Sequence, residues 1–166
     1  MLYMNPESFI LKPAFAMIHC EPNWQWRKRD QPMPNYDLFY VWSGTGTVIL
    51  NGKPYSVQKG SCFLFKPGDE TAAVHNPQNP LVLTYIHFDV KEPLQNVPKA
   101  YRIVKNTISM ESLLARYVRL FLVKTFGAEI EAKLILKQLM IHLLREEQVN
   151  EEQTADSSNK LYDSIQ

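Results

Sequence analysis

Apolar residues follow two different rhythms along this chain. In the first hundred or so residues they come in short runs that alternate with polar positions and are broken by Gly, Pro, Asn and Asp; after that they recur every three to four residues. In the first part, residues 23–29 (NWQWRKR) alternate bulky and polar side chains and predict one strand, and residues 36–42 (YDLFYVW) predict a second, more buried one. Residues 43–46 (SGTG) make a bend or bulge, residues 47–50 a strand, and Asn51-Gly52 a hairpin turn, because a type I′ turn needs positive φ at both central positions. Residues 53–57 return, Lys59-Gly60 turns again, residues 61–65 (SCFLF) add a strand, and residues 66–69 (KPGD) end it. Residues 81–90 (LVLTYIHFDV) are long and rich in β-formers. Many short strands at this spacing predict a sandwich or barrel.

The second part is helical in pattern. Ser109 serves as the N-cap of a helix over residues 110–126, Gly127 stops it, and residues 128–148 form a second helix without a breaker. Two helices joined at a glycine predict an antiparallel hairpin. On the second helix Ile130, Leu134, Ile141 and Leu144 share one face, while Ile135, Leu139 and Leu143 widen the stripe beyond what one contact with a barrel requires. Residues 149–159 (VNEEQTADSSN) are polar and acidic and predict a linker, with residues 160–166 a stub after it. Proline placement marks the same boundary: all 11 prolines, five of the six glycines and all three tryptophans fall at or before Pro98. The expected fold class is therefore mainly β with a C-terminal helical hairpin. The expected units are residues 1–105 as a barrel, 106–148 as the hairpin and 149–166 as a linker with the start of a further domain.

Composition narrows the possibilities. With 18 Lys+Arg against 17 Asp+Glu and a net charge of +1, the chain lacks the basic excess of a free-standing nucleic-acid binder. No apolar run approaches the ~20 residues of a membrane span, so no membrane partner is expected. A chain of this length buries roughly 68–70% of its unfolded surface, and Cys20 and Cys62 are not needed as a staple. Buried thiols in a reducing, cytoplasmic compartment are expected.

Candidate chemistry is sparse. His19, Cys20, Cys62, His75 and His87 are scattered, with no H-x-H or C-x-x-C spacing, so neither a metal nor another cofactor is expected. No G-x-S-x-G and no phosphate-cradling loop before a helix is present, and no catalytic residue is assigned. Strand alternation does offer a ligand-lining face: Leu83, Tyr85 and His87 share one side of residues 81–90, and Thr84, Ile86 and Phe88 share the other. Trp24, Trp26 and Trp42 add flat apolar faces suited to the C–H surfaces of a sugar, with amide and imidazole groups for its hydroxyls. In residues 24–29 alternation groups Gln25, Arg27 and Arg29 against Trp24, Trp26 and Lys28. An inward Arg29 would present a fork-shaped donor.

In order and spacing, W-x-W…R…P-N-Y-D-L-F-Y-V…S-G-x-G…N-G…G…F-K-P-G…T-Y-I-H-F-D resembles the N-terminal effector domain of AraC-type bacterial transcription regulators. The likeness runs from about residue 24 to 89, and the helical pair ending L-x-x-L-x-I-H-L-L-R-E extends it to about residue 147. It implies a cupin, that is, a double-stranded β-helix barrel, plus two antiparallel helices that supply a homodimer contact. With the strand and stripe readings above, it points to ligand contacts at Arg29, Trp26, Tyr36, Thr71, Tyr85 and His87, the last alternatively hydrogen-bonding within the barrel, and to a dimer interface at Leu134, Leu139 and Leu143. Many members of the family have a histidine where Thr71 stands. The small side chains at Thr71, Ala72 and Ala73 depart from that pattern and fit either a ligand larger than a monosaccharide or no ligand of the family's type. The expected partners are a small-molecule effector of the carbohydrate class, a second copy of the chain, and DNA only through a C-terminal domain absent from these residues. Residues 160–166 resemble the first turn of that domain, and the hinge candidates are residues 98–106 and the stretch after Asn150. The alternatives are a small metal-dependent cupin enzyme and a ligand-free dimerisation module whose barrel is filled by its own side chains.

Overall fold

The computed structural model describes residues 5–26 and 30–163. After a 3-10 turn at Pro6–Ser8, the described residues form β1 (Phe9–His19), β2 (Gln25–Trp26), β3 (Tyr36–Ser43), β4 (Gly46–Leu50), β5 (Lys53–Val57), β6 (Ser61–Phe65), β7 (Thr71–His75), β8 (Val82–Val90) and β9 (Tyr101–Ile103). Two helices follow, α1 (Thr107–Val123) and α2 (Ala128–Asp163). The strands lie in two antiparallel sheets, ordered β1-β8-β3-β6-β9 and β2-β7-β4-β5. That order is the jelly-roll order of a cupin barrel, so the fold is mainly β with a C-terminal helical hairpin.

The five-stranded sheet is covered on both faces. Its inner side packs against the smaller sheet through Phe39, Val41, Phe63, Phe65 and Leu83, which meet Val48, Leu50 and Ala73. Its outer side carries Leu38, Tyr40, Leu64, Ile86 and Phe88, which pack on Met110, Leu114 and Tyr117 of α1 and on Leu136, Leu139 and Leu143 of α2. A sheet with no solvent face needs near-continuous apolar strands, which is why all five residues of β6 and most of β3 are buried.

The turns follow from the residues placed there. Asn51 and Gly52 both have positive φ, 49° and 82°, as the I′ hairpin requires. Gly44 has φ 87°, and a Cβ there would lie 2.2 Å from the Pro80 carbonyl oxygen, so only glycine allows the two loops to approach. Strand β1, to which alternation assigns no element, is an edge strand whose register against β8 shifts between Leu11 and Phe15, around Pro13. A proline at such an irregularity removes no ladder hydrogen bond, but it hides the strand from pattern reading.

The helices begin and end differently from expectation. Asn106, not Ser109, caps α1: its side chain accepts from the Ser109 N–H at 3.1 Å. Lys124, in the left-handed region at φ 50°, ends α1 before Gly127 is reached. The expected linker at residues 149–159 is instead a continuation of α2, which at 1.5 Å per residue is about 54 Å long. Glu, Gln and Ala are good helix formers, and neither Gly nor Pro interrupts the segment. The hydroxyls of Thr154, Ser157 and Ser158 are satisfied on the carbonyls four residues back. Residues 149–158 are nonetheless all exposed, because this polar stretch has no face to bury. Residues 160–163 belong to the same helix rather than starting a new one. Among the described residues no helix is long and apolar enough to cross a membrane.

Cys20 and Cys62 are free and buried. Burial pushes the Cys62 thiol up to about 12 from 9.0, against a smaller opposing pull from Arg102, and pushes Cys20 up to about 11. Both groups hold their protons more tightly when folded, so their contribution to stability is present below pH 9 and is lost as pH climbs toward 12. Chemical denaturation from pH 8 to 11 is expected to show falling stability, with a shallower slope in Cys62→Ala; an unchanged slope in that variant would contradict the assignment.

Candidate functional site

The strongest candidate is a cavity of about 510 Å³ at one end of the barrel, between β1, β2, β3 and β8. Its size falls in the ~300–1,000 Å³ range of small-molecule sites. Strand alternation decides what lines it. On β3, Tyr36, Leu38, Tyr40 and Trp42 turn toward the helices, leaving Asp37 and Phe39 to face the cavity. On β8, Leu83, Tyr85 and His87 face the cavity, as the alternation predicts. Trp24, Gln25 and Trp26 form the wall opposite, with Ala14 and Ile18 of β1 at the side.

The walls are aromatic and the polar groups are concentrated. Trp26 packs on Phe39 at 6.0 Å between ring centroids and edge-on to Phe65 at 5.7 Å. The Tyr85 ring stands edge-on to His87 at 5.8 Å. His87 is held between two oxygens: its Nδ1 lies 2.8 Å from Asn35 Oδ1, and its Nε2 lies 3.4 Å from Asp37 Oδ2. Asp37 is only 1% exposed. A carboxyl group so buried is costly unless it is hydrogen-bonded or paired, and together with His87 and Asn35 it gives the largely aromatic cavity a polar cluster able to read the polar groups of a ligand.

A second histidine holds the turn that carries Trp24. His75, at the end of β7, accepts a hydrogen bond at Nδ1 from the Leu81 backbone N–H, 3.2 Å away. A backbone N–H can only donate, so the ring proton sits on Nε2 and is donated to the Pro22 carbonyl at 3.0 Å. One imidazole thus ties together the loop before β8 and the turn that presents Trp24, whose ring lies 5.5 Å from that of His75.

Of the residues implied by resemblance, Trp26, Tyr85 and His87 line the cavity. Arg29 lies outside the described residues, as do Arg27 and Lys28. Tyr36 is a correction: it points to the helix side of the sheet, stacked on Phe88 at 5.3 Å, and burial followed by the charge of Asp89 raises its hydroxyl pKa. Thr71 is another, since it lies buried with its hydroxyl 3.7 Å from Met33 Sδ and takes no part in the cavity wall. Trp42, also on the helix side, donates its indole N–H to Thr84 Oγ1 at 2.8 Å. Leu139 and Leu143 are buried in the chain's own core, at 0% and 1% exposure, and so are not available to a second copy, whereas Leu134 is 47% exposed. Both leucines lie on the α2 face that covers the sheet, which periodicity had merged with the outer face.

Sequence reasoning missed Asp37, Asn35, Phe39 and Gln25. The signal for Asp37 was present: it is the lone carboxylate in an otherwise apolar strand, Tyr36–Ser43. Among the described residues no three His, Cys, Asp or Glu side chains converge to hold a metal.

The barrel thus carries an aromatic cavity with a polar cluster on one side of its larger sheet and a helical hairpin on the other. The chain matches the family described as AraC-like ligand binding domain over residues 17–144, and it belongs to that family. None of the curated proteins matches it. Among solved structures it is similar to a cupin protein from Bacteroides fragilis, at 15% identity over 49% of this chain and 69% of that one, with a TM-score of 0.41. It is also similar to the plu4264 protein from Photorhabdus luminescens, at 21% identity over 51% of this chain and 64% of that one, TM-score 0.41. Salicylate 1,2-dioxygenase from Pseudoaminobacter salicylatoxidans is 18% identical over 44% of this chain and 18% of its own length, TM-score 0.35.

Replacing His75 by Phe is expected to lower stability by roughly 1–3 kcal/mol for each backbone partner left unsatisfied, and to loosen the turn carrying Trp24. Urea denaturation followed by tryptophan fluorescence measures both. A variant as stable as the parent would show that His75 does not pin the two loops.

Proposed function

We propose that this chain is the sensing and dimerisation part of a cytoplasmic AraC-type transcription regulator and that its effector is a carbohydrate or glycoside. The observation that carries the reading is the pairing of aromatic walls with the buried Asp37–His87–Asn35 cluster. Flat rings match the C–H faces of a pyranose, and the carboxyl, amide and imidazole groups of the cluster offer hydrogen-bonding partners to its hydroxyls. The effector is bound rather than turned over, and it acts by favouring one arrangement of the dimer over another. Two buried free thiols support a reducing compartment. Contact with DNA would belong to a further domain.

A thermal-shift panel of mono- and oligosaccharides, uronic acids and aromatic acids tests the ligand class. A ligand at a hundred times its dissociation constant stabilises by ~2.7 kcal/mol, which for this size is roughly 5–10 °C. The expected result is a saturable shift with a carbohydrate that is lost in His87→Ala and in Trp26→Ala. Shifts only with aromatic acids, or silence across the panel, would overturn the carbohydrate reading.

The dimer contact we assign to the outer stripe of α2, where Ile130 and Leu134 are exposed at 61% and 47% and Ile141 and Leu144 continue the row at half-buried positions. The steps of four, seven and three residues match a coiled-coil seam. Leu134→Glu is expected to give a folded monomer in sedimentation, whereas Leu139→Glu unfolds the chain. A dimer that persists in both Leu134→Glu and Ile141→Glu would place the interface elsewhere.

A further inference from the structure

Strand β9 and its flanks, residues 98–106, touch both the barrel interior and α2. On the inner side Tyr101 lies 4.7 Å from Phe63 between ring centroids, Phe63 lies 6.1 Å from Phe39, and Phe39 packs on Trp26 in the cavity wall. A continuous row of rings therefore runs from the cavity to β9. The next side chain, Arg102, points the other way by strand alternation. Its Nη1 donates to the Leu143 carbonyl at 2.7 Å, and its Nη2 pairs with Glu147, both on α2. Arg102 is largely buried, with its side chain 11% exposed.

The backbone of the same segment adds to this grip. The Lys99 N–H donates to Glu147 Oε1 at 2.7 Å, and the N–H groups of Lys105 and Asn106 donate to the Glu146 carboxylate at 3.2 and 2.9 Å. Lys105 Nζ reaches Asn150 Oδ1. These bonds all fall on residues 143–150 of α2, and residues 151–158 that follow are all exposed. Charge-assisted bonds of this kind are the stronger ones, and here they are gathered where the helix leaves the barrel.

We propose that residues 98–106 act as a strap that transmits the packing state of the cavity wall to the outgoing half of α2, with Arg102 as its positioning residue. The strap gives the sensing reading above a physical route: a ligand that reseats Trp26 and Phe39 moves the rings behind them, and β9 passes the change to the helix at Leu143 and Glu147. The proposal rests on that reading for its biological meaning, but its test needs no ligand.

Hydrogen–deuterium exchange is compared for the unaltered chain, Trp26→Ala, Arg102→Gln and the double variant. Arg102→Gln is expected to speed exchange of the α2 amides after Glu147 roughly tenfold. Trp26→Ala is expected to speed the same amides and those of Lys99, Lys105 and Asn106 several-fold, with α1 unchanged. In the double variant the cavity substitution should add nothing further on α2, which is the non-additivity that coupling requires and a purely structural Arg102 would not produce. Effects confined to β2 and β7, or effects on α2 that simply add, would overturn the strap. If Trp26→Ala does not fold, Phe63→Leu supplies the same arm, because Phe63 touches Tyr101 directly. A silent ligand panel would count against the effector reading alone, whereas additive exchange would count against the strap alone.

Discussion

Every other feature of this molecule depends on one sheet being buried on both sides. Strands β3, β6 and β8 lie between the smaller sheet and the helical hairpin, so each of their residues must satisfy one of two apolar environments. The alternation of a strand then sorts neighbours into separate roles. Leu38, Tyr40 and Ile86 bind the helices, while Phe39, Tyr85 and His87 build the cavity. The same constraint explains the raised Tyr40 and Tyr117 hydroxyls: burial dominates both, and at Tyr40 the Glu111 carboxylate adds to it. It also makes the hairpin part of the barrel's stability, because α2 contributes Ala132, Ile135, Leu136, Leu139, Met140 and Leu143 to the main core.

The cavity is the place where this apolar packing is interrupted. Asp37 occupies an inward position on β3 that its neighbours fill with hydrocarbon, and His87 stands across from it in the β3–β8 register. The pairing is a consequence of register. Asp37 and His87 are directly opposite on adjacent strands, and the loop before β3 delivers Asn35 to the other side of the imidazole. His75 shows the contrasting use of the same side chain. Both its ring nitrogens are taken by backbone groups, so it acts as a tie between loops and leaves ligand reading to the cluster around His87.

The two faces of α2 carry different duties. One face, with Ile135, Leu136, Leu139 and Leu143, closes the core; the other leaves Ile130 and Leu134 in solvent. The polar stretch that follows stays helical, and its residues 148–158 are exposed, so α2 continues past the part that packs on the barrel. The segment around β9 takes hold of α2 just before this exposed stretch, through Arg102 and the backbone N–H groups that reach Glu146 and Glu147.

Much of this was determined by the sequence alone. Turn chemistry at Asn51-Gly52 and Gly60, the β-rich runs and the switch to helical period after residue 107 specify a strand barrel followed by a helical hairpin, because these signals are local and each has a backbone or steric cause. The alternation on residues 81–90 likewise placed Tyr85 and His87 on one face. What only the tertiary structure decided is which side of each element meets what. Tyr36 and Trp42 fall to the helix side and Trp26 to the cavity because of how two sheets close on each other, and Leu139 is core while Leu134 is not because of how α2 rolls against the barrel. Periodicity defines faces but does not label them. The label comes from contacts between residues far apart in the chain, such as Asp37 with His87 and Arg102 with Glu147, whose partners no local pattern can supply.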